Sequence, residues 1–221
     1  MVRNAWRPAF TDRLRDWSKA HLHAAAGNEG ALTRRSFAAD LLVDLAEKQD
    51  LPEMLAALQS ELTQPADSPA RAEAMSGGAG GLVNAIAAVL RHGGTLPAEP
   101  WRAAETAAYL HEVYDGRAPH LPDWDTRLAA WLKHESPVVR AYAVLCLRGQ
   151  PPARAVPMIP DIAADRDPLV QIYFLAWVRI DHIAAARPAL ERMRKSSLDR
   201  RVRQDVELTL EGLGPEPTTK Q

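Results

Sequence analysis

The residues that could do chemistry in this chain of 221 are seven histidines, one cysteine, a glycine run and a polar helix end. The histidines are His21, His23, His92, His111, His120, His134 and His182. His21 and His23 stand two apart, so on a helix they point to different sides and cannot share a metal. No His-Glu-x-x-His occurs and Cys146 has no partner thiol, so the spacings predict no metal site. Cys146 lies in an apolar helical stretch over 139–147 with no electropositive neighbour, which predicts a packed thiol rather than a nucleophile. No Gly-x-Ser-x-Gly is present. His111-Glu112 and Tyr114-Asp115 gather polar groups where a helix should end, and they read as a solvated terminus.

Ser76-Gly77-Gly78-Ala79-Gly80-Gly81 precedes an apolar helix, Leu82 to Leu90. A glycine loop before a helix can cradle phosphate. Here no lysine follows at P-loop spacing and no strand precedes, so Gly77–Gly81 reads as a site of close helix packing or of bending. The sequence predicts no catalytic residue, no metal and no cofactor.

Binding chemistry is better represented. Between Arg187 and Arg203 stand seven basic residues, Arg187, Arg192, Arg194, Lys195, Arg200, Arg201 and Arg203, against Glu191 and Asp199. That window carries +5 in a chain whose net charge is −1. Such a ridge suits an acidic protein surface or nucleic-acid phosphates, or it solvates an exposed cap. Six tryptophans are a mild excess, and Trp124 and Trp131, seven apart, share one helical face as candidate aromatic anchors. Trp177, beside Tyr173 and Phe174, reads as core packing.

Helices position all of these groups. Alanine and leucine dominate, and hydrophobic residues make up 47% of the chain. A first helix is expected over 10–26, with the stripe Phe10, Leu14, Trp17 and Leu22, Thr11 as cap and Gly27 as stop. A second spans 31–48 with Phe37, Leu41, Leu42 and Leu45 inward and Arg34 and Arg35 facing water. The third covers 52–63, opened by Pro52. The next runs to Leu90 and stops at His92-Gly93-Gly94, and another covers 101–113. From Asp125 the helices pair as 125–134 with 137–148, 157–164 with 168–180 and 187–195 with 200–212. The tail 214–221 has no apolar anchor and reads as disordered.

The pairs repeat. Ser136-Pro137-Val138-Val139-Arg140 recurs 31 residues on as Asp167-Pro168-Leu169-Val170-Gln171, and 32 further as Asp199-Arg200-Arg201-Val202-Arg203. In the first two copies a short polar side chain can cap the helix, and proline takes the first turn, where a missing N–H costs little. The apolar positions then align in steps of four: Val139, Ala143, Leu147; Val170, Phe174, Val178; Val202, Val206, Leu210. One helix pair cannot bury such a face alone, so stacking of pairs is expected.

The turn motif, with its valine and following basic or polar residue, resembles the HEAT-repeat family over about 125–213. The third copy departs from it, with Arg200 in place of proline, as suits a C-terminal cap. The resemblance implies an all-α solenoid of stacked antiparallel helix pairs, about five in number. It would form a single domain over 1–213, with 1–120 degenerate repeats. It also implies binding of a partner along an extended surface, and it is nearly silent on which partner. HEAT-like DNA glycosylases and HEAT-like bilin lyases exist, but no catalytic motif of either has a counterpart here.

The expected function is therefore a non-enzymatic protein–protein interaction module or adaptor. The alternative is a nucleic-acid-binding protein using the 187–203 ridge. The first residues lack the apolar core of a secretory signal and no stretch reaches the roughly 18 apolar residues of a membrane span, so a cytoplasmic location is expected.

Overall fold

The computed structural model describes residues 8–22, 29–63, 78–94, 102–196 and 199–214. These are all-helical, and no strand occurs among them. His23, Gly27, the 64–70 loop, Ser76-Gly77, Trp101 and the tail from 215 lie outside the described residues. No described helix is long and apolar enough to cross a membrane. The chain divides into two compact units, 1–120 and 121–221.

The first unit holds α1 (Pro8–Leu22), α2 (Glu29–Leu45), α3 (Leu51–Leu62), α4 (Gly78–Arg91) and α5 (Arg102–Tyr114). The glycine-rich segment opens the central helix, α4, which packs on α2, α3 and α5. Leu82, Val83, Ile86 and Val89 are buried, as are the alanines between them, so α4 is apolar nearly all round. A Cβ on Gly81 would lie 2.7 Å from the Cβ of Ala39 on α2. Of the two readings of the run, close packing therefore holds at Gly81. Gly93, at φ 78°, ends α4 in the left-handed conformation that glycine adopts without strain.

Three local expectations change here. Thr11 lies inside α1 rather than capping it, because the helix begins at Pro8, a residue suited to a first turn. Phe10 and Phe37 are exposed, at 43% and 56%. Alanines 38 and 39 and Leu42 carry the inward face of α2, since the close approach of α4 leaves no room for a ring. Arg35 is buried rather than solvated, with its guanidinium against the carboxylate of Glu61 on α3. A second buried carboxylate, Asp50, ties α1 to the start of α3. It forms an ion pair with Lys19 Nζ at 3.1 Å and accepts from the backbone N–H of Glu47 at 2.9 Å.

The second unit holds α6 (Trp124–Trp131), α7 (Pro137–Leu145), α8 (Pro152–Ala155), α9 (Ile159–Ala163), α10 (Pro168–Ile180), α11 (Arg187–Ser196) and α12 (Arg200–Gly212). The helix expected over 157–164 starts earlier and is broken. Pro157 and Pro160 split it into α8, a 3₁₀ turn (Val156–Met158) and α9. The three helices that open on the recurring turn pack in chain order, α7 on α10 and α10 on α12. All nine aligned apolar residues, from Val139 to Leu210, are buried at 7% exposure or less. Tyr142 of α7 meets Tyr173 of α10 edge to face at 5.4 Å, and Phe174 and Trp177 fill the core, as expected of them.

The first two turns are built alike, residue for residue. Two positions before each cap, a side chain accepts the cap's own N–H: His134 Nδ1 from Ser136 at 3.0 Å, Asp165 Oδ1 from Asp167 at 2.9 Å. Four positions after the cap, a side chain reaches back to the carbonyl six residues earlier: Arg140 to His134 and Gln171 to Asp165, both at 2.7 Å. Helix capping itself differs from expectation. Asp167 accepts from Leu169 and Asp199 from Val202, but the Ser136 side chain makes no capping bond. Proline at the third helix start is thus dispensable where an aspartate caps.

Candidate functional site

The basic ridge lies on α11 and α12, which pack against each other. Arg192, Lys195, Arg200 and Arg203 are exposed and Arg201 is half-buried. Arg187 and Arg194 are engaged within the fold. Arg187 donates to the carbonyl of Gly214. Arg194 pairs with Glu191 at 2.6 Å and approaches Glu207 at 3.9 Å. The rest of α12 adds Asp205, Glu207 and Glu211, so over 187–212 seven basic residues stand against five acidic ones. The excess falls to +2, because the sequence window ended just short of those carboxylates.

Trp124 and Trp131 come together as their spacing requires, edge to face with ring centroids 5.7 Å apart. Trp124, 8% exposed, belongs to the core of its unit and is not an exposed anchor, whereas Trp131 is half-buried. A large apolar ring at a helix start packs inward when the following helix supplies an apolar wall.

A groove of about 690 Å³ opens between the end of α6, α7 and the α8–α9 segment, within the range of sites that hold a small molecule or a few peptide side chains. Its apolar lining is Leu132, Val144, Pro157, Met158, Ile162 and Val170. Around it stand Lys133, Arg140 and Arg154 opposite Glu135, Asp161 and Asp165. Two of the cations are engaged. Arg140 Nε donates to Asp165 Oδ2 at 2.6 Å, and Arg154 Nη1 meets Asp125 Oδ1 at 2.8 Å. Lys133, Glu135 and Asp161 are exposed on the rim. Met158 is half-buried, and its unbranched thioether adapts readily to an incoming surface. Sequence reasoning missed this groove because it forms where Pro157 and Pro160 break a helix. The recurring Arg140/Gln171 position was the one available signal that polar groups converge nearby.

In the first unit the polar end of α5 is a network rather than a solvated terminus. Glu112, 7% exposed, accepts from Arg117 Nε and Nη2 at 3.0 and 2.9 Å and lies 3.3 Å from Arg91 Nε. Asp115 Oδ2 is 2.6 Å from Arg117 and 3.4 Å from His111 Nε2. Burial pushes His111 below its ordinary value, against the pull of Asp115. Two arginines on two carboxylates make a charge-balanced clasp between α4 and the end of α5. Cys146 is buried, and burial pushes its thiol up to about 12, outside nucleophilic range near neutral pH. His21 donates its Nδ1 proton to the Trp17 carbonyl at 2.7 Å and stacks on that ring.

Compared with protein-family models, curated proteins and solved structures, the chain matches none of the three.

Proposed function

We propose that this chain is a non-enzymatic interaction module: a HEAT-like stack of helix pairs that receives a segment of a partner protein in the Leu132–Met158 groove. The groove carries the reading, since its apolar bed is ringed by charges that nearly balance. A polyanion gains little from a rim with as many carboxylates as cations, while an apolar side chain gains from burial on Leu132 and Met158. The like construction of the turns at Ser136 and Asp167 supports the repeat architecture. A cytoplasmic setting belongs to the proposal, and the single buried thiol suits it.

Affinity capture from native lysate, with and without nuclease, tests this against the Met158→Glu variant. A protein retained equally with nuclease, and lost from the variant, supports the module. Retention unchanged by Met158→Glu overturns the groove as its site. The exposed Arg192, Lys195, Arg200 and Arg203 favour one other reading, phosphate contact by the ridge. Capture lost on nuclease treatment, with nucleic acid in the untreated eluate, would establish that reading instead.

A further inference from the structure

The rim charges of the groove differ in how they are satisfied. Arg140 is held by Asp165 and by the carbonyls of His134 and Glu135, at 2.7 and 2.9 Å. Arg154 is held by Asp125. Among the described residues, Glu135 and Asp161 have no ion-pair or side-chain hydrogen-bond partner, and neither does Lys133. The internal pairs cancel, so an occupant meets two uncompensated carboxylates and one ammonium. Glu135 lies in the turn before α7 and Asp161 on α9, so the two carboxylates sit on separate elements lining the groove, with Leu132 and Met158 also in its lining. Neither guanidinium of the lining pairs with these carboxylates, because Arg140 is engaged by Asp165 and Arg154 by Asp125.

Resting on the groove reading above, we propose that the partner segment is a basic–apolar peptide. One apolar side chain fills the bed beside Met158, and Lys or Arg residues flanking it pair with Glu135 and Asp161. The His134 ring adds a fixed donor: its Nδ1 accepts the Ser136 N–H, so a neutral ring carries its proton on Nε2. Charge pairs at such a rim set partner choice and association rate more than affinity, while the apolar contact sets residence time.

The test is selection of a random dodecapeptide display library on the full chain. Recovered peptides are then measured by fluorescence polarisation against wild type, Met158→Glu and the double variant Glu135→Lys/Asp161→Lys. Circular dichroism melts confirm that each variant folds. The expected result is recovery of apolar residues flanked by Lys or Arg, roughly tenfold weaker binding to the charge-reversed variant, and loss of binding to Met158→Glu. Acidic or uncharged peptides that still need Met158, or binding untouched by charge reversal, would overturn the basic–apolar partner and leave the groove standing. Binders indifferent to Met158→Glu, or a library that yields none, would overturn both.

Discussion

Arg140 and Asp165, 25 residues apart, are joined side-on, with Nε to Oδ2 at 2.6 Å and Nη2 to Oδ1 at 3.2 Å. Through Nη1 the same guanidinium donates to two carbonyls of the turn before α7. One arginine thus fastens the turn that leads into α7 to the turn that leads into α10. Both side chains are less than one-fifth exposed, at 18% and 14%. Removing either partner strands the other in a poorly hydrated place, so Arg140→Ala and Asp165→Ala should each cost about 2–3 kcal/mol in urea unfolding. The double variant should cost far less than the sum. Arg140→Lys should restore little, because a point ammonium cannot span a carboxylate and two carbonyls. Single-variant losses under about 0.5 kcal/mol, the range of unremarkable surface substitutions, would show that the bridge contributes nothing.

That bridge also marks where the sequence stopped being readable. The helix starts at Pro137, Pro168 and Arg200, and the burial of nine aligned apolar residues, were legible because cap, proline and four-residue spacing are local signals. The fastening of one turn to the next was not, since Arg140 and Asp165 become neighbours only once α7 lies on α10. Phe37 shows the same limit in the other direction. Its spacing is that of a core residue, but Gly81 draws α4 so near Ala39 that the ring is displaced to solvent. Arg35 takes the inward place, with its guanidinium against the carboxyl group of Glu61, 26 residues on. The groove depends on Pro157 and Pro160 breaking a helix that periodicity alone reads as continuous.

Cys146 should behave as a core residue. Burial raises its thiol to about 12, so the thiolate fraction near neutral pH is negligible. Native protein should leave Ellman's reagent unreacted over the time in which urea-unfolded protein reacts fully. Cys146→Ser should destabilise by about 1–2 kcal/mol, by placing a more strongly hydrated hydroxyl in a buried site. Rapid reaction of the native thiol would mean that the end of α7 opens readily.

Gly81 should tolerate no side chain. A methyl there would sit 2.7 Å from the Ala39 Cβ and 3.3 Å from the Asp40 Oδ1, closer than carbon atoms pack. Helix propensity favours Gly81→Ala by roughly 1 kcal/mol, but the clash should outweigh it and leave a net loss of about 1–2 kcal/mol. Ala39→Gly in the same chain should recover part of that loss by vacating the opposing space. Thermal melts of the two single variants and the double variant decide it, and a stabilised Gly81→Ala would mean that α2 and α4 can part at no cost.

Glu61 gives the fold a specific pH dependence. Burial drives its carboxyl from 4.5 up to about 7, although the Arg35 guanidinium lies against it. Because the folded value is the higher one, the folded chain keeps this proton while the unfolded chain loses it. The contribution to stability is therefore complete below about pH 4.5 and is lost as pH rises through about 7, a swing on the order of 3 kcal/mol. His111 works in the opposite sense. Its folded value is depressed, so its contribution is present above 6.5 and lost as pH falls through that depressed value. The wild-type curve mixes the two, and the informative quantity is the difference between wild type and Glu61→Gln. Glutamine keeps the shape and can still accept from Arg35 without carrying a charge. The variant should match wild type below about pH 4.5, gain on it as pH rises to about 7, and hold that gain above it. A difference that stays constant across that interval would show that Glu61 ionises in the folded chain as freely as in water.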